Sequence, residues 1–155
     1  TLTHSYVSDN GNTESVFAVV PRVATAVGGI TGLLAGGRID NAVMYQDFRV
    51  TTVGGDNNLI DYVGGLVGYL QSGTFNSNQV EGTIKGNNYV GGLVGYVASS
   101  SASATDCAVN ADVIASSATD NNGLFGRLVS SVGITNCYFI GKNFLSLLLT
   151  REWGW

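Results

Sequence analysis

The residues able to do chemistry are few and poorly spaced for it. There is one histidine, His4. A zinc site built on imidazoles needs a second, and no HExxH occurs. A Ser-His-Asp triad would have to use His4, yet no GxSxG elbow presents a nucleophile. Asp56, Asp61, Asp106, Asp112 and Asp120 are the carboxylates with the spread to form an acid–base or calcium site. Their basic partners would come from Arg22, Arg38, Arg49, Lys85, Arg127, Lys142 and Arg151. Asp56 and Asp120 head "DNN" segments, where a third copy of the segment has Gly86, so a turn accounts for all three and catalysis for none. The glycine clusters lack the GxxxxGK[ST] and GxGxxG spacings of phosphate loops, and they recur, whereas a cofactor loop is needed once. Calcium-binding GGxGxD repeats and a TxT threonine array are also missing from the text of the sequence. No catalytic residue, cofactor site or metal site is therefore assigned.

Two other sets remain. Tyr69 and Tyr96 occupy the same place in two copies of one phrase, beside Val67 and Val94. Stacked tyrosines on an outer face would bind sugar rings or a partner protein; alternatively they ladder on one another or lie under a loop. Cys107 and Cys137 each follow an Asp or Asn, in "TDC" and "TNC", 30 residues apart. Equivalent positions in a parallel ladder stack about 4.8 Å apart, within disulfide range but with side chains pointing the same way. The pair is thus either a disulfide or a ladder of small buried thiols, with Ala42 and Ser77 filling that position in the other copies.

The elements that would position these residues are written repeatedly. "TAVGGITGLL" (25–34), "DYVGGLVGYL" (61–70), "NYVGGLVGYV" (88–97) and "DNNGLFGRLV" (120–129) are one cassette, whose aligned Ile30, Leu66, Leu93 and Leu124 stand in steps of 36, 27 and 31 residues. A period near thirty with unequal steps predicts a solenoid with loops of variable length. Each cassette is followed by a second element: "GRIDNAV" (37–43), "GTFNSNQVEGTI" (73–84), "SATDCAVNADVI" (103–114) and "GITNCYFIG" (133–141). Its alternating Val80, Gly82, Ile84 and Val109, Ala111, Val113 signal strands. "LTHSYVSDN" (2–10) reads as part of an earlier copy.

Within the cassette, Ile30, Leu66, Leu93 and Leu124 precede Gly32, Gly68, Gly95 and Gly126 by two residues, and Leu34, Leu70, Val97 and Leu128 follow by two. Residues i, i+2 and i+4 of a strand share a face. That set is expected to form two buried columns, and Thr31, Val67, Val94, Tyr69, Tyr96 and Arg127 the outer face. Glycine at the centre of the inner face predicts that an opposite wall comes close. Gly29, Gly65, Gly92 and Gly123 are the second structural glycine of each copy. A helix is excluded because each interior glycine would cost about 1 kcal/mol.

Composition agrees. Charged residues are 12% and apolar residues 45%, with 22 glycines and one proline, too apolar for disorder and too poor in Glu, Lys and Leu for a coiled coil. The net charge of −4 and the lack of a basic cluster argue against nucleic acid as a partner. No apolar run approaches a membrane span; "FLSLLL" (144–149) is too short. Beginning at Thr1, the chain reads as a mature form or a fragment. The expected fold is all-β, a parallel β-solenoid of about four rungs of roughly 30 residues, with 1–26 a partial repeat or cap, 27–141 four repeats and 142–155 a cap or tail.

"VGGLVG", followed by "N-small-x-x-V-x-G", resembles the GLUG motif over 27–141, most closely in the second and third copies. That motif recurs in large secreted and surface-attached bacterial proteins, including adhesins, haemagglutinin-like exoproteins and non-catalytic regions of some IgA-specific metallopeptidases. The resemblance implies an extracellular or cell-surface location and a structural or adhesive module without catalysis, its partner a host glycan or surface protein. A polysaccharide-active β-helix enzyme using surface carboxylates is the first alternative. A filament subunit self-associating through open solenoid ends is the second.

Overall fold

The computed structural model describes residues 2–3, 6–7, 15–19, 26–46, 48–52, 62–116, 123–129, 131–141 and 143–145. Among them there is no helix, and every strand pairing is parallel. The architecture is the all-β, parallel, solenoid-like one that the repeat predicts. The first three rungs visit four sheets in turn, the described part of the fourth lies in three of them, and none of the four sheets closes on itself.

A rung begins with a short arm: Ala26–Gly28, Tyr62–Gly64 or Tyr89–Gly91. After a two-residue bend it returns as a second arm: Thr31–Leu34, Val67–Leu70, Val94–Val97 or Phe125–Leu128. The third strand is Arg38–Asp40, Thr74–Asn76, Ser103–Thr105 or Gly133–Thr135. The fourth sheet holds the longest strands, Gln79–Gly86 and Ala108–Ala115, paired in register along all eight positions. Leu2–Thr3 pairs with Ile39–Asp40, and Tyr6–Val7 with Val43–Met44, so the opening stretch lies in the same ladders. At the other end Asn143–Leu145 pairs with Val113–Ala115. The cap or tail expected over 142–155 otherwise lies outside the described residues.

The register explains the unequal steps. Val67 faces Val94 and Val94 faces Phe125, the pairing that the cassette alignment gives. Extra residues sit where strands are not paired. Thr83 faces Arg49 although Val80 faces Met44, so the first rung carries two more residues between Met44 and Arg49 than the second does between Val80 and Thr83. Gly82, at φ +99°, lies directly against the Phe48 carbonyl there, a conformation and a clearance that favour glycine.

Stacking turns each apolar position into a column. Ile39, Phe75 and Ala104 are fully buried one above another, as are Met44, Val80 and Val109. Phe75 beside Ala104 shows large and small side chains sharing the volume of one column. Each fully buried aliphatic contributes about 1.5–3 kcal/mol from water exclusion.

Of the two expected columns, Leu66, Leu93, Leu70 and Val97 are fully buried. Ile30, Leu34 and Leu124 are only partly buried, and Leu128 is 38% exposed. These four lie on or beside the strands Thr31–Leu34 and Phe125–Leu128, which among the described residues have a paired neighbour on one side only. The outer-face assignment holds for Tyr69, Tyr96 and Arg127, which are more exposed than Leu66 and Leu93, and needs correction at Val67 and Val94. Val67, Val94 and Phe125 are buried and join the same apolar cluster as Leu66 and Leu93. Thr31 and Arg127, the polar residues that marked the face as outer, sit in the end rungs. Strict alternation reports faces only where one side of a sheet meets water.

Candidate functional site

The two arms of each rung form a tight arch, and glycine makes the arch closable. A Cβ placed on Gly95 would lie 2.7 Å from the Gly68 carbonyl oxygen and 2.9 Å from the Tyr62 carbonyl carbon, and closer still to the Val63 nitrogen. A Cβ on Gly64, on the facing arm, would lie 2.8 Å from the Gly95 nitrogen. The contacts are backbone to backbone, so no side chain can give way. Gly65 and Gly92 occupy the bend and would instead strike Val80 and Val109 of the core. Gly29 and Gly123 stand likewise against Met44 and Phe48, and against Phe139.

Folding the cassette back on itself brings its two tyrosines together. Tyr62 and Tyr89 stack across successive rungs at 5.4 Å, and Tyr69 and Tyr96 at 5.2 Å, with interplanar angles of 15° and 14°. The two stacks touch: Tyr62 meets Tyr69 at 5.4 Å and Tyr96 at 4.7 Å, and Tyr89 meets Tyr96 at 5.7 Å. Arg127, in the register position of Tyr96, lays its guanidinium over Tyr89 at 5.3 Å and donates to its hydroxyl at 3.2 Å. All four rings are half-buried. Tyr69 and Tyr96 are therefore members of a packed cluster, with ring faces turned largely toward each other rather than standing open for a sugar. The sequence reading missed Tyr62 and Tyr89. The signal was present, since both strong copies carry a tyrosine on either side of the glycines, seven residues apart.

A second column lines the corner between the third and fourth sheets. Asn41, Ser77, Asp106 and Asn136 share φ of 51–54°, one left-handed residue per rung. Asn and Asp tolerate that region, and it turns the chain without breaking the ladder. Ser77 thereby aligns with Asn41, and Asn78, not Ser77, occupies the position of Ala42, Cys107 and Cys137. The expected alignment is one residue out, because "NSN" offers two ways to place an Asn before a small residue.

In this column each side chain serves the corner of the rung before it. Asn78 is buried; its Oδ1 accepts from Ala42 N at 2.9 Å and its Nδ2 donates to Ile39 O at 2.8 Å. The Asn78 backbone N–H and carboxamide both donate to the Cys107 sulphur. Cys107 N in turn donates to Cys137 Sγ at 3.4 Å. The thiols donate to Thr105 O and Thr135 O, each at 3.3 Å. Both cysteines are free, one rung apart, Cys107 buried and Cys137 half-exposed. Burial pushes the Cys107 thiol above its ordinary value; the Asn78 hydrogen bonds oppose this, and the Cys137 thiol adds to it.

Among the described residues the carboxylates do not converge. Asp106 accepts from Asn136 Nδ2 at 3.1 Å on the surface, and Asp112 lies in the fourth sheet opposite Thr83. Asp40 pairs with Arg38 at 3.0 Å. His4, Asp56, Asp61 and Asp120 lie outside the described residues. Among the described residues no three His, Cys, Asp or Glu side chains group as a metal site would need, and no helix is long and apolar enough to cross a membrane.

Compared with known proteins, the chain matches no family model, no curated protein and no solved structure.

Proposed function

We propose that the chain is a non-catalytic structural and adhesive repeat module, of GLUG type, from a secreted or cell-surface bacterial protein. One observation carries this reading. Chemically equivalent groups recur in register from rung to rung, as in the columns Val67–Val94–Phe125 and Asn41–Ser77–Asp106–Asn136. A stiff spacer, or a surface that repeats one feature along its length, uses such columns. An enzyme needs one unrepeated constellation. The natural partner is a host glycan or surface protein, met along a rung-to-rung row.

The test pairs two measurements on the purified chain. Extended trypsin digestion is expected to leave the Lys85–Gly86 bond intact, since it lies within the fully paired strand Gln79–Gly86. Incubation with a panel of polysaccharides is expected to release no reducing ends. Depolymerisation abolished by a single carboxylate substitution would overturn the reading in favour of a β-helix enzyme.

A second reading, end-to-end self-association, is favoured by the last rung. Leu128, Val129, Ile134, Tyr138 and Ile140 are exposed there, and Phe125–Leu128 is an edge strand at one end of its sheet, with Thr31–Leu34 at the other. Sedimentation that depends on protein concentration supports it; a monomer at every concentration refutes it.

A further inference from the structure

We infer that the tyrosine cluster is an oxidative cross-linking site, at which Tyr62 and Tyr96 become joined ring to ring as dityrosine when a peroxide and a peroxidase act on the protein. Four of the seven tyrosines of the chain meet in this one cluster. Tyr62 and Tyr96 are its central members, each touching the other three. Their separation of 4.7 Å is the shortest of the five ring contacts, and their 55° tilt is that of a twisted biaryl rather than of a stacked pair. They sit on opposite arms and successive rungs, so a bond between them would span the arch and tie two rungs together.

The chemistry balances. Each phenol gives one electron to the oxidised peroxidase and its hydroxyl proton to water, leaving a neutral phenoxyl with spin density on the carbons ortho to oxygen. Two such radicals held in contact combine to form one carbon–carbon bond. Each ring then moves its ortho hydrogen to oxygen and regains aromaticity. The sum is two phenols and one hydrogen peroxide giving one dityrosine and two waters, so the protein loses two hydrogens. Half-burial leaves the cluster within reach of an electron acceptor while shielding the radicals from a second chain. Arg127 decides which rings react. Its cation lies over Tyr89 and its N–H holds the Tyr89 hydroxyl oxygen, both of which disfavour removing an electron there. Oxidation is thereby directed to the remaining three, among which Tyr62 and Tyr96 are closest.

The site can be read by mass. The basic residues flanking the cluster are Arg49, Lys85 and Arg127, so trypsin after unfolding places Tyr62 and Tyr69 in peptide 50–85 and Tyr89 and Tyr96 in peptide 86–127. Dilute protein treated with hydrogen peroxide and a haem peroxidase is expected to stay monomeric and gain dityrosine fluorescence. It should yield the two peptides joined with loss of two hydrogens, with fragment ions placing the link at Tyr62 and Tyr96. Y62F and Y96F keep the ring packing and should each lower the yield of joined peptides severalfold, whereas Y45F and Y138F, at exposed tyrosines, should leave it unchanged. Prior unfolding in denaturant should lower it as much as either cluster variant. Links found only between chains, a link placed at Tyr89, or a yield unchanged in Y62F and Y96F while circular dichroism shows them folded, would each overturn the inference.

Discussion

Gly95→Ala isolates the closeness of the arch in a single methyl group. The new Cβ would meet the Tyr62 carbonyl carbon of the facing arm at 2.9 Å and the Val63 nitrogen closer still, whereas ordinary contact begins near 3.4 Å, so the arms must part by at least about 0.5 Å. A gap of roughly 0.5–1 Å forfeits a quarter to a half of the dispersion energy across it. The facing atoms are backbone, held on both sides by the ladders through Val63 and Val94, so parting the arms also strains those pairings. Overpacking of this kind costs about 1–3 kcal/mol. The stiffer unfolded chain returns roughly 0.4–1 kcal/mol of that.

The control is Gly36→Ala. Gly36 is exposed, and the nearest atom to its Cβ would be the Ser72 hydroxyl at 3.4 Å. Only the unfolded-state gain should apply there, so this variant is expected to be neutral or slightly stabilised. For a chain of this length each kcal/mol moves the melting temperature by roughly 2–4 °C. Gly95→Ala should therefore melt several degrees below the parent while Gly36→Ala melts at or above it, by circular dichroism or calorimetry. If Gly95→Ala melts with the parent, or both variants fall together, backbone approach is not the reason for glycine.

Two further outcomes follow from the corner column. Asn78→Ala leaves the buried Ala42 N–H without its partner, at about 1–3 kcal/mol, and removes a second bond to the Ile39 carbonyl, so it should lower the urea midpoint without changing the slope. For the thiols, a maleimide or disulfide reagent at about pH 8 should modify Cys137 first and Cys107 only on unfolding, because burial raises the Cys107 value and closes access. Since the folded value lies above the unfolded one, the unfolded chain releases this proton first as pH rises. The stability it contributes is full below the ordinary thiol value of 9.0 and is lost as pH climbs through the raised one. Cys107→Ala should flatten that alkaline decline in urea midpoints measured across pH; a decline as steep as in the parent would refute it.

Much of the architecture is legible in the sequence because a solenoid repeats its local rules. The cassette alignment gives the pairing of Val67 with Val94 and Phe125 directly, and the Val109, Ala111, Val113 alternation gives the buried side of the longest strand. What failed to read out is what depends on the third dimension. The burial of Val94 is hidden because Thr31 and Arg127 are polar for being terminal, and position along the stack leaves no mark in a single rung. The place of Asn78 is hidden because only the left-handed φ of Ser77 decides between two alignments of "NSN". The tyrosine pairs seven residues apart are legible, but the contact of Tyr62 with Tyr96 is not, because these two belong to different arms and different rungs and meet only through the bend.

Glycine and tyrosine answer to different needs within one cassette. The first rung keeps Gly28 and Gly32 but has Ala26 and Leu33 in register with the tyrosines. The last keeps Gly126 but has Arg127 in place of the second tyrosine. In both, the glycine still faces backbone: a Cβ on Gly32 would lie 2.7 Å from Ala26 O, and one on Gly126 2.7 Å from Val90 N. Close backbone approach at this glycine thus recurs along the stack, within the rung at Gly32 and against the first arm of the preceding rung at Gly68, Gly95 and Gly126. The rings meet only in the two interior rungs, where the adjacent rung supplies another ring or, at Tyr89, the Arg127 guanidinium. Leu33, 57% exposed, shows what the position becomes without that company. The backbone approach and the aromatic face of the arch therefore both rest on stacked rungs: from Gly68 onward the glycine meets the first arm of the rung before it, and the rings stack only where two successive rungs carry tyrosines.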